Sequence, residues 1–220
     1  ITDPDGKPIG LVDVNLFTDE VTELAYRHQV SNAFQIIGVH AALGRKVPAW
    51  MSFKDRFPWL LCNIASGILC ALIASRYELL IQEVTILALF LTVVLALGES
   101  VSMQSMTITL QGFAQTRILW SRVWGSLQKE FFTASMLGGA CGFLVGGLAW
   151  IWRGEAMAAA AIGGGIFLSI MTACLLGVIV PTLIRYFNAD PKIAAGPIVL
   201  ASADVATLLY YFNLALFLTR

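Results

Sequence analysis

The chain has 220 residues, 58% of them hydrophobic and 13% charged, with a formal net charge of zero and a mean hydropathy of +0.77. A soluble domain carries about a quarter charged residues, so most of this length must face lipid or other buried helices. The balanced charge excludes a strong field for nucleic acid, and no such partner is expected.

The sequence opens on Ile1 without a basic, apolar leader, and reads as a piece of a longer protein whose N-terminal part is missing. Residues 1–56 are polar and hold no run long enough to cross a bilayer. Asp3-Pro4-Asp5-Gly6 is a turn signal before the strand-like Ile9–Val14, which predicts a hairpin. Asn15 can cap a helix beginning near Leu16, and a second helical stretch runs from about Val30 to Leu43 before Pro48. A hairpin and a helix cannot bury a core alone, so this region reads as the end of a soluble domain. His28 and His40 lie within it and read as surface residues rather than ligands.

Five apolar segments follow: Pro58–Ala74, Val84 to about Phe113 through a polar stretch, Phe131–Trp152, Met157–Ile184 and Pro197–Leu218. About 20 apolar residues cross a hydrocarbon core about 30 Å thick. The predicted fold class is therefore an all-α membrane protein with five transmembrane helices per protomer, after a short cytosolic α/β remnant. Arg45, Lys46, Lys54, Arg56, Arg117, Arg122, Lys129, Arg185 and Lys192 fall on one side of that arrangement, and Arg76, Arg153 and Arg220 on the other. Positive charge stays inside, which predicts a cytoplasmic N-terminus and an outside C-terminus in the cell membrane. Cys62, Cys70, Cys141 and Cys174 all fall in apolar segments without a C-x-x-C pair and read as small hydrophobes. Gly138, Gly142 and Gly146 recur every four residues, as do Gly165, Ser169, Ala173 and Gly177. Such stripes let helices approach closely, and packing within one protomer is the expected use.

Chemistry concentrates at two places. Asp204 lies in the fifth segment, with no lysine or arginine between Ala194 and Thr219. A carboxylate at membrane depth costs roughly 2.5–3.5 kcal/mol, so it should face water, a cation or a buried partner. Pro197 has no N–H and frees the carbonyl of Ile193, and Gly196 adds backbone access. Oxygen ligands of this kind suit magnesium, calcium or manganese rather than zinc or copper. In the second segment, Gly98-Glu99-Ser100-Val101-Ser102-Met103-Gln104-Ser105 is mostly polar. Polar or irregular backbone at this depth is tolerated where it lines a cavity. Glu99 is then a second intramembrane carboxylate, unless the helix ends there and Glu99 is interfacial.

These residues resemble the membrane domain of the MgtE family of magnesium transporters. The resemblance is carried by Asn188-Ala189-Asp190-Pro191-Lys192-Ile193-Ala194-Ala195-Gly196-Pro197, then Asp204-Val205 and Leu208-Leu209-Tyr210-Tyr211. Gln104-Ser105 and Pro58–Asn63 are similar to two further family motifs, and the hairpin resembles the end of a CBS domain. The resemblance implies residues 1–24 as the C-terminal end of a CBS-like cytosolic domain, 25–56 as a connecting helix and 57–220 as the five-helix pore domain. It implies a homodimer with a pore lined by the second and fifth transmembrane helices, and Mg2+ as the transported and regulatory ion. Asp204 corresponds to the pore aspartate, Leu200 to a backbone ligand position, Asp190 to an acidic site at the cytoplasmic mouth and Asp19 to a regulatory acidic residue. Gly196, Glu99, Ser100 and Gln104 are further candidate metal contacts, taken from the backbone access beside Pro197 and from the polar stretch of the second segment. Glu99, Ser100 and Ser102 depart from the family's G-G-N-x-G pattern, and Ser31 and Asn32 stand where an acidic pair is common. No phosphate-binding loop or protease motif is present, so no enzyme is expected. A cation-binding membrane regulator and an intramembrane carboxylate enzyme are the competing readings.

Overall fold

A computed structural model describes residues 48–115, 120–187 and 191–219. The expected hairpin, the two N-terminal helical stretches, His28, His40, Asp19 and Asp190 lie outside the described residues. Among the described residues six helices follow one another: α1 (Ala49–Ser75), α2 (Glu78–Glu83), α3 (Thr85–Gln115), α4 (Trp120–Arg153), α5 (Ala156–Tyr186) and α6 (Pro191–Thr219). Five of them, all but α2, are long and apolar enough to cross a membrane. The chain divides into two compact units, residues 1–55 and 56–220. In the first, Trp50 stacks on Phe53 at 5.4 Å and Lys54 Nζ stands 5.6 Å from the Trp50 ring, a cation–π distance.

In the second unit α5 is the central helix, packed on α4, α6 and α3, while α3 and α6 also pack on each other. Its sequence is apolar all round, as a buried helix requires, and Ile162, Ile166, Ile170 and Val178 are fully buried. The glycine stripe of α4 faces α5. A Cβ on Gly142 would stand 2.5 Å from the carbonyl oxygen of Gly163, and one on Gly146 would stand 3.0 Å from that of Ala159. The α5 stripe serves two neighbours: Gly165 faces Tyr211 of α6, and Gly177 faces Ser102 and Ser105 of α3. Both stripes therefore pack helices within one protomer, as expected. Gly154 ends α4 with φ +73, the left-handed conformation that glycine adopts without penalty, and α5 begins two residues later.

The sequence left open whether the second apolar segment ends near Glu99. It does not: α3 runs unbroken from Thr85 to Gln115. Its polar stretch stays helical because the hydroxyls bond back along the helix. Ser102 donates to the Glu99 carbonyl at 2.9 Å, Thr107 to that of Met103 at 2.7 Å and Thr109 to that of Ser105 at 2.8 Å. Side chains of this kind can satisfy themselves locally without leaving the helix. The short helix α2, with only Leu79, Leu80 and Ile81 as its apolar run, was not expected.

Candidate ion-binding site

Pro197 sits inside α6, so the Ile193 carbonyl has no N–H four residues on to receive. Gly196, beside it, is buried under Trp59 of α1, and a Cβ there would run into the indole. Its bare backbone makes room for the ring. Two turns along α6, Asp204 is half-buried. Its Oδ1 is buried and has no hydrogen-bond partner. A buried carboxylate oxygen left unpaired is costly.

The neighbouring helix comes close at this level. A Cβ on Gly98 of α3 would stand 2.9 Å from Thr207 Oγ1 of α6, so glycine at that position allows the two helices to touch. The next residue is Glu99, whose carboxylate acts electrostatically on Asp204. The Cys70 thiol of α1 feels both carboxylates. Two like charges in a low-dielectric setting repel strongly, and a divalent cation between or beside them removes that repulsion. Leu200, one turn before Asp204, is half-buried.

Glu99, Ser100 and Gln104 are exposed on the outer side of α3, where Gln104 Nε2 donates to Ser100 Oγ at 3.4 Å. They share that side with Thr92 and Gln111, also exposed. Among the described residues, no three His, Cys, Asp or Glu side chains are grouped closely enough to hold a metal ion. The cysteines are free, and Cys62 is exposed rather than buried as the sequence suggested. The structure thus places Asp204 within electrostatic reach of Glu99, sets Glu99, Ser100 and Gln104 on the exposed outer face of α3, and covers Gly196 with Trp59.

Sequence reasoning missed Glu130. It lies on α4, half-buried, and its Oε2 accepts a 2.9 Å hydrogen bond from Ser105 of α3. Its place next to Lys129, at the margin of an apolar segment, made it look like a loop residue.

A family model described as a divalent cation transporter matches residues 91–214, more than half of the chain. The match includes α5, α3 from Leu91 on and α6 as far as Leu214. Curated relatives agree. The magnesium transporter MgtE of Thermus thermophilus is 28% identical over 98% of this chain and 47% of its own length. That of Enterococcus faecalis is 26% identical over 98% of the chain and 46% of its length. That of Bacillus subtilis is 26% identical over 76% of the chain and 37% of its length. The chain spans less than half the length of these relatives, which are named as transporters and not as enzymes. With its five apolar helices and the extent of the family match, the chain belongs to the MgtE family of divalent cation transporters.

Proposed function

We propose that this chain forms the ion-conducting membrane part of a divalent cation transporter, with Mg2+ as the cargo. The observation that carries the reading is the buried, unpartnered Oδ1 of Asp204 at membrane depth. A structural aspartate would be expected to use that oxygen. The relatives are named as magnesium transporters, and magnesium prefers carboxylate oxygens while keeping several of its waters. The path runs between α3 and α6, with Asp204, Glu99, Ser100, Gln104 and the Leu200 carbonyl as its contacts. Asp190 stands at the cytoplasmic mouth, and Asp19 belongs to a regulatory site.

A homodimer completes the path. The polar side of α3, from Thr92 to Gln111, is exposed in one copy, and a glutamate facing lipid is expensive. A second copy against that side would cover it and double the ligands at a two-fold axis. The N-terminus lies in the cytoplasm and the C-terminus outside. Residues 1–24 are the end of a CBS-like domain, 25–56 a connecting helix and 57–220 the pore. An inside-negative potential gives a divalent ion about 4.6 kcal/mol per 100 mV, twice the single-charge value, so entry needs no nucleotide. The test is uptake of a panel of divalent ions into proteoliposomes holding the purified chain. Metal binding without uptake would replace this reading with a regulatory one.

A further inference from the structure

Helix α1 is almost entirely exposed, and it meets the rest of its unit along a single stripe. Trp59, Cys70, Ile73 and Ala74 are half-buried, and Ser66 is buried at 7% exposure. Ser52 is half-buried too, and every other described side chain of α1 is exposed. The spacing places these residues on one helix face. A helix docked only for stability would set a large aliphatic side chain at the centre of that stripe. Here Leu60, Leu61, Ile64, Ile68, Leu69 and Leu72 are all exposed, and the centre is a hydroxyl.

That hydroxyl is buried and meets no partner in good hydrogen-bond geometry, and the Cys70 thiol one turn on is near enough to interact with it weakly. Thr133, Ser135 and Thr182, on the other spanning helices, each donate to the carbonyl four residues back, the usual resolution for a helical hydroxyl. Ser66 does not. Its height explains what it faces. Trp59 and Gly196 touch across α1 and α6. From there Ser66 lies seven residues along α1 and Asp204 eight along α6, rises of about 10 and 12 Å. One turn above Ser66, the Cys70 thiol lies in the field of both Asp204 and Glu99. Of the three buried oxygens without partners among the described residues, on Ser66, Ser169 and Asp204, those on Ser66 and Asp204 therefore sit at one level of the membrane.

We propose that α1 is a third wall of the ion path beside α3 and α6, with Ser66 Oγ holding a water of the hydrated divalent cation and the Cys70 thiol reachable from the path. The inference rests on the reading of Asp204 as a path residue. Its test uses the full chain in proteoliposomes with Cys62, Cys141 and Cys174 replaced by alanine, so that Cys70 remains. A small cationic methanethiosulfonate should modify Cys70 and remove most of the Mg2+ flux, and saturating Mg2+ should slow the modification. Ser66→Ala should weaken that protection and Ser66→Thr, which keeps the hydroxyl, should restore it. Mass spectrometry of the unsubstituted chain identifies the modified thiol without relying on the alanine variants. An unreactive Cys70, or one modified at the same rate with and without Mg2+, would overturn the third wall even where Asp204→Asn abolishes flux. Full flux from Asp204→Asn would instead overturn the path reading, and this inference with it.

Discussion

Gly142 and Gly163 stand back to back across α4 and α5, each so close that a Cβ on it would come within 2.5 to 2.7 Å of the other's carbonyl oxygen. Neither obstacle is a flexible side chain. Any substitution must push two backbones apart. Overpacking costs typically 1–3 kcal/mol, so Gly142→Val should lower the thermal midpoint of the purified chain in detergent. Gly147→Ala is the control, because a Cβ there meets nothing within 4 Å. Equal effects of the two substitutions would remove the close seam from the account of stability.

Asp204→Asn keeps the size of the side chain and its capacity for hydrogen bonds, but removes the charge. A carboxylate serving only as a structural acceptor would tolerate this, and insertion into lipid would even become easier. A carboxylate that attracts a divalent ion in a low-dielectric path would not. The expected outcome is a folded protein with Mg2+ flux reduced at least about tenfold, equivalent to about 1.4 kcal/mol. Radiotracer or dye-reported uptake with size-exclusion chromatography as the folding check decides it.

Glu99→Gln addresses preference rather than conduction. Glu99 brings a second carboxylate near Asp204 and is exposed on α3. Extra negative charge favours ions that surrender water readily, and magnesium is reluctant to do so. Removing it should change the ratio of Mg2+ to Ca2+ and Mn2+ uptake while leaving substantial flux. An unchanged ratio would separate Glu99 from selectivity.

Orientation is checked by labelling. In a background free of the four native cysteines, one introduced at Glu155, in the link between α4 and α5, should react with an impermeant maleimide added outside intact cells. One introduced at Gln115 should react only after permeabilisation. The reverse pattern would invert the proposed topology.

The spans were legible because apolar length is a property of the chain alone: but for Val84 at the start of the second, all five expected segments lie within described helices. Asp204 stood out in the sequence for a related reason, since a carboxylate without a local cation has no cheap explanation in lipid. The polar stretch of α3 was harder. Composition could not tell a helix end from a helix whose hydroxyls bond back on themselves, as Ser102 and Thr107 do. Glu130 and Ser66 were invisible for a third reason. What each of them faces depends on which neighbour stands at the same height, Ser105 in the case of Glu130, and that is fixed by helix register after packing. The N-terminal expectations lie outside the described residues.

The length of α4 has a consequence of its own. Its 34 residues measure about 51 Å, against a hydrocarbon core about 30 Å thick. The tight link at Gly154 and Glu155 holds the ends of α4 and α5 level on one side of the membrane, so the excess must emerge on the other. There the first turns of α4 and the last turns of α5 form a collar of helix standing in water. Its backbone amides can trade protons with solvent, whereas those between Gly138 and Gly146 are sealed in lipid and against α5. Deuterium exchange should divide this one helix into a fast half and a slow half, with the boundary near Glu130, where α4 is tied to Ser105 of α3.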